Sequence, residues 1–242
     1  MEKSVFRMKV EPQHVDFTSR ASVSSMCNLI LHVAGQDAHN RGFGIDTLAG
    51  RNFGWVLSRI CVELDYLPKE YQQFSIHTWI SDYNRLSSTR NFTLTDDDGC
   101  EFGRAVSQWC MLDFDTRMPV DMNTLAKVHD GTIVDAPSPC ERPRRLGAVG
   151  GEVIAEHKVV YSDIDFNRHM NTMRYIDLIF DTMPIDIPEQ LKSLRMDVNF
   201  LKEALYGDYL SLSHECIEPK PTYEFRNASQ DVLCRFAFEL KF

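Results

Sequence analysis

Long apolar runs are missing from this chain. Crossing a bilayer takes about 18 or more consecutive apolar residues, and the longest stretch, around MCNLILHVAG, falls far short. MEKSVFRMKV at the start scatters charges and has no apolar core, so no secretory signal is expected. The absence of a transit-like start points to a bacterial-type cytoplasmic protein. No C-x-x-C pair occurs, and the seven cysteines are an odd number, which suits reduced thiols in a cytoplasm better than a disulfide framework. The N-x-S/T matches at Asn91 and Asn227 then carry no weight. Basic residues are in deficit, giving a net charge of −9. That excludes broad nucleic-acid or anionic-membrane binding and leaves room only for a local basic patch.

What is present is ordinary for a globular chain: 242 residues, 43% of them hydrophobic and 25% charged. Val23, Met26, Cys27, Ile30, Leu31, Ala34 and Ala38 follow helical spacing, with Ser22 or Ser24 able to cap the start and Gly42 and Gly44 fitting the stop. WVLSRICVEL, FSIHTWI, STRNFTLT and AVSQWCMLDF are rich in β-branched and aromatic residues, and DDDG between the last two is a hairpin signal. The pattern then breaks into APSPCERPRRLGAVGG, a connector rich in proline and glycine. It resumes with a strand at EHKVVY and a helical run, Met170, Met173, Ile176, Ile179, Phe180 and Met183, closed by Pro184. Four more strands follow, in LRMDVNFLKE, DYLSLSHE, TYEFRN and VLCRFAFELKF.

Both halves therefore read as a helix followed by four strands. Shifting residues 59–78 by 136 places Arg59 on Arg195, Val62 on Val198 and Ser75 on Ser211, in matching apolar phase, which favours a duplication. The expected organisation is a first repeat at 1–120, a connector at 121–151 and a second repeat at 152–242. A twisted antiparallel sheet curled around an apolar helix would bury each one, making the chain α+β.

YSDIDFNRHMN, residues 161–171, is the candidate site. Its D-x-D-x-N spacing imitates a calcium loop, but Arg168 stands where glycine belongs and Arg174 where the closing glutamate belongs, so no metal is expected. A turn at Asp163–Asn167 feeding a helix from about Arg168 or His169 fits better. On these residues alone, Asp165 or Asn167 as a mere cap is favoured over a site. The alternative is that backbone N–H groups at 167–171 hold an oxyanion while Asn and His orient substrate or move protons.

The stretch YSDIDFNRHMNTMRYIDLIFD resembles the S-D-x-D-x-N-x-H-x-N-N-x-x-Y-I signature of the acyl–acyl-carrier-protein (acyl-ACP) thioesterases, with Thr172 in place of the second Asn. WVLSRICVEL, HTWISD and RAVSQWCMLDFDTRMP resemble further blocks of that family, in the same order. The resemblance implies a tandem double hot-dog fold and hydrolysis of a fatty acyl thioester on acyl carrier protein, without cofactor or metal. It carries the family's catalytic Asp, Asn and His onto Asp165, Asn167 and His169, and its Glu onto Glu203. It places Asn171 and Tyr175 beside the substrate. The family's Cys after that Glu is Ala204 here, which rules out a thiolate mechanism at this position and leaves a carboxylate role for Glu203.

At the 136 offset, Asp165, Asn167, His169 and Glu203 fall on Leu29, Leu31, Val33 and Leu67, so one active site is expected, on the second repeat. An acidic carrier protein would need a local basic patch on this acidic chain, for which Arg142, Arg144 and Arg145 are the candidates. An acyl-CoA thioesterase and a non-catalytic acyl-binding protein remain as rivals. The oligomeric state stays open, a homodimer included.

Overall fold

The computed structural model describes residues 2–44, 52–122, 131–217 and 220–242. Its runs of β-branched and aromatic residues pair into one ten-stranded antiparallel sheet. In chain order the elements are β1 (Ser4–Lys9), α1 (Val23–Asn40), β2 (Phe53–Leu64), β3 (Gln73–Tyr83), β4 (Ser88–Asp96) and β5 (Glu101–Asp113). The second half adds β6 (Glu152–Lys158), α2 (Thr172–Asp181), a short α3 (Asp186–Gln190), β7 (Ser193–Phe200), β8 (Tyr209–Ile217), β9 (Lys220–Asn227) and β10 (Val232–Lys241). Across the sheet the order is β1-β3-β4-β5-β2-β7-β10-β9-β8-β6. Each half repeats the other in mirror order, and β2 pairs with β7 at the centre, from Arg59↔Asn199 to Leu64↔Leu194.

Alternation along the central strands sorts the two faces. Ile60, Val62, Leu194, Met196 and Val198 point into one apolar core shared with α1 and α2, which includes Met26, Ile30, Val33, Tyr175, Ile176 and Ile179. Fully burying side chains of this size contributes about 1.5–3 kcal/mol each. The other face of β7 carries Arg195, Asp197 and Asn199, all buried. The connector covers them. The Arg144 and Leu146 amides donate to Asp197 (2.9 Å) and Asn199 (3.0 Å), and Asn199 returns a bond to the Arg144 carbonyl (2.8 Å). Arg195 neutralises Asp197 at 2.8 Å. Removing one member of such a buried pair costs about 3–5 kcal/mol. Residues 123–130 of the expected connector lie outside the described residues.

Three expectations need correction. Each half begins with a strand, so the repeat is a strand, a helix and four strands; β1 is short, charged and half exposed, which hid it. The second helix starts at Thr172, not near Arg168 or His169, because Arg168 adopts a left-handed turn conformation at φ 66° and Asn171 supplies the cap. The 136 offset holds for β2 with β7 and β3 with β8 but fails before them. There α1, with 18 residues against 10 in α2, and a β2 that starts four residues earlier than β7 at the 136 offset account for most of the move to 149.

Candidate active site

The loop between β6 and α2 is built on two carboxylates. Asp163 is fully buried, and it accepts from the Val160 amide (2.8 Å), pairs with His157 Nε2 (2.7 Å) and takes Arg174 Nε (2.9 Å). Burial alone would push this carboxyl up, but the Val160 amide, His157 and Arg174 outweigh it and hold it below the ordinary carboxylate range. Asp165 Oδ1 accepts from the amides of Asn167 (2.9 Å) and His169 (3.3 Å), while the Arg168 amide donates to the Asp165 carbonyl (3.0 Å). The tight turn that results presents Asn167 at the surface and His169 half-buried. The Met170 amide then donates to the Ala204 carbonyl (2.8 Å) and the Asn171 amide to the Asp163 carbonyl (2.7 Å).

Those bonds join the loop to the segment after β7, and they bring His169 and Glu203 together. His169 Nε2 lies 3.2 Å from Glu203 Oε2, with side chains 26% and 34% exposed. A third group comes from the other repeat: Arg117 Nη1 donates to the same oxygen at 3.4 Å. Arg117 sits at φ 58° just beyond β5. A carboxylate held between an imidazole and a guanidinium is fixed in orientation and able to take a proton from water.

Of the residues expected at the site, Asp165, His169 and Glu203 are joined by this network, and Asn167 stands on the same turn. Asn171 caps α2, its Oδ1 accepting the Met173 amide at 2.9 Å. Tyr175 is buried against Phe225 (ring centroids 5.0 Å), and burial drives its phenol well above its usual range. Ala204 is buried and contributes its carbonyl to the loop. Arg142 pairs with Asp82 and Arg144 with Glu239, while Arg145 is exposed and forms no ion pair among the described residues. The expectation that amides 167–171 hold an oxyanion fails, since all five already donate within the protein. Sequence reasoning missed two residues. Asp163 was quoted only as part of the signature, although it is the buried anchor of the loop. Arg117 lay within the quoted block DFDTRMP, but only folding brings it 86 positions along the chain to Glu203.

Residues 3–125 match the family model for the acyl-ACP thioesterase N-terminal domain and residues 148–240 that for the C-terminal domain. The chain belongs to the acyl-ACP thioesterase family, and its fold is the tandem double hot dog. It is 34% identical to a solved acyl-ACP thioesterase from Bacteroides thetaiotaomicron, covering 99% of this chain and 98% of that one at a TM-score of 0.90. The 12:0-ACP thioesterase from Umbellularia californica shares the fold, with 18% identity, a TM-score of 0.84 and coverage of 98% and 97%. Among curated relatives, oleoyl-acyl carrier protein thioesterase from Coriandrum sativum is 26% identical over 80% of this chain. The chain spans 57% of that relative's length and 60% of an Arabidopsis thaliana counterpart's. Among the described residues, no helix is long and apolar enough to cross a membrane.

Proposed function

We propose that this protein hydrolyses the thioester between a fatty acyl chain and acyl carrier protein, releasing the free acid that ends a round of fatty acid synthesis. The observation that carries this reading is the 3.2 Å approach of His169 Nε2 to Glu203 on a carboxylate-ordered loop. Glu203 takes a proton from water as the hydroxide oxygen attacks the thioester carbonyl carbon. The side-chain amide of Asn167 donates to the carbonyl oxygen as it becomes an oxyanion. The carbon–sulfur bond then breaks, and the proton on Glu203 passes to the leaving thiolate. His169 and Arg117 hold the carboxylate in place, and Asp165 acts through the backbone of the turn that carries Asn167 and His169. Asn171 and Tyr175 belong to the frame beside the acyl head. No metal or cofactor takes part.

In this reading the working site belongs to the second repeat (152–242), joined by the connector (121–151) to a first repeat (1–120) that lends Arg117. Carrier protein is acidic, and Arg145 is the connector cation best able to meet it, because Arg142 and Arg144 are engaged. A cytoplasmic location is supported by seven free thiols. The decisive test is thiol release from acyl-ACP by the purified protein and by Glu203→Gln. Rapid release that the substitution abolishes supports the assignment, and near-normal turnover by the variant sinks it. Absence of thiol release by the unsubstituted protein would favour a non-catalytic acyl binder. Higher kcat/KM for the CoA ester of the same acyl chain would move the substrate to acyl-CoA.

A further inference from the structure

The first repeat holds a copy of the active-site loop whose chemistry has been replaced. At the 149 offset, Asp16, Thr18, Arg20 and Ser22 stand where Asp165, Asn167, His169 and Asn171 stand, and at the 136 offset Leu67 and Lys69 replace Glu203 and Leu205. The backbone confirms the correspondence: Arg20 bridges Lys69 as His169 bridges Leu205, and the Ala21 amide donates to Pro68 as Met170 does to Ala204. Where the second repeat has its acid–base pair, the first has an open cavity of about 360 Å³ lined by Arg20, Asp65, Tyr66, Leu67, Lys69, Gln72 and Lys192.

Three cations and one carboxylate line that cavity in a chain of net charge −9. Asp65 is already paired with Arg104 at 3.2 Å. Among the described residues, neither Arg20, Lys69 nor Lys192 forms an ion pair. Arg20 is fixed by the carbonyls of Leu191 (2.7 Å), Pro188 (2.7 Å) and Glu189 (3.1 Å) and by the Thr18 hydroxyl (3.2 Å), so it lends the cavity its charge more than its donors, while the two lysines supply the mobile contacts. Gln72 accepts the Lys69 amide (3.0 Å) and donates to Tyr66 Oη (3.2 Å), so the loop carrying Lys69 is ordered before any ligand arrives. One carboxylate needs one cation, whereas three around a cavity suit a dianion.

We propose that this cavity is a binding site for a phosphate dianion, free or as the terminal monoester of a phosphorylated small molecule. The site is separate from the His169–Glu203 pair and does not depend on the hydrolase reading. Calorimetric titration of the intact chain at low ionic strength tests it, with inorganic phosphate in one arm and adenosine 3′,5′-bisphosphate in the other. Binding of either ligand at one site per chain is expected, weakened at least about tenfold in Lys69→Ala/Lys192→Ala. Both lysines are exposed, so the thermal midpoint of that variant without phosphate should match the parent and show that the fold is intact. Tighter binding of the bisphosphate identifies a nucleotide-type source, and equal or weaker binding identifies free phosphate. No binding in either arm, or binding that the double substitution leaves unchanged, overturns the proposal. Glu203→Gln should bind phosphate like the parent; loss there would put the anion at the catalytic pair and overturn the proposal too.

Discussion

Residues 16–22 and 165–171 form the same loop twice. Asp16 Oδ1 accepts the Thr18 amide at 2.8 Å, and Asp165 Oδ1 the Asn167 amide at 2.9 Å. Ser19 and Arg168 both take left-handed conformations, at φ 60° and 66°. Ser22 caps α1 as Asn171 caps α2, and Phe17 and Phe166 are both exposed. The loops differ in the side chains that do not build the turn. His169 meets a carboxylate, whereas Arg20 meets three carbonyls of the opposite repeat. Glu203 is answered by the buried Leu67. The scaffold the two loops share rests on backbone bonds and one aspartate, and any chemistry rests on two or three replaceable groups, so one copy can change use without unfolding.

Breaking the working half of this comparison should give the largest effects. Glu203→Gln is expected to lower kcat for acyl-ACP by about 10²–10⁴-fold, the usual contribution of a general base, with the circular dichroism spectrum unchanged. His169→Arg, which imposes the first repeat's residue on the second, should cost about 10²-fold or more in kcat, because a permanent guanidinium charge beside Glu203 weakens that carboxylate as a base. Activity within a few-fold of the parent would detach His169 from the chemistry.

Acid stability separates the halves next. Asp163 has its carboxyl held below the ordinary range, whereas His14 occupies the matching place in the first loop. The stability Asp163 contributes is therefore complete above its unfolded value, about pH 3.9. It is lost as pH falls through the lower folded value. Asp163→Asn should flatten the acid limb of a denaturation midpoint measured against pH; an unaltered limb would mean another carboxylate dominates. The smallest effect sharpens the parallel. Asp165→Ala and Asp16→Ala should each cost about 1–2 kcal/mol in urea unfolding, since each removes the acceptor that closes its turn. Only Asp165→Ala should also reduce turnover, and equal losses of turnover in both would erase the functional difference between the loops.

Much of this was legible beforehand. Helical spacing placed α1, β-branched runs placed nine of the ten strands, and the SDIDFNRH stretch marked the polar loop before α2. What escaped were features set by contacts between distant residues. Counting a single offset of 136 put Asp165 opposite Leu29, and only the paired bridges at Arg20–Lys69 and His169–Leu205 revealed Asp16 as its true counterpart. The start of α2 escaped because local propensity favours a cap at any of several Asp and Asn residues, and the choice of Asn171 depends on amides already claimed by Asp163, Asp165 and Ala204.

By itself, then, the sequence determined the repeated α+β architecture, the absence of a thiol at residue 204 and the position of the polar loop, because periodicity and residue chemistry are local properties. Only the tertiary structure decided that Arg117 reaches Glu203, that amides 167–171 are already bonded, and that Lys192 of one repeat joins Arg20 and Lys69 of the other. Those facts follow from antiparallel pairing of β2 with β7 and from the loops that it brings together, and no spacing along the chain encodes them.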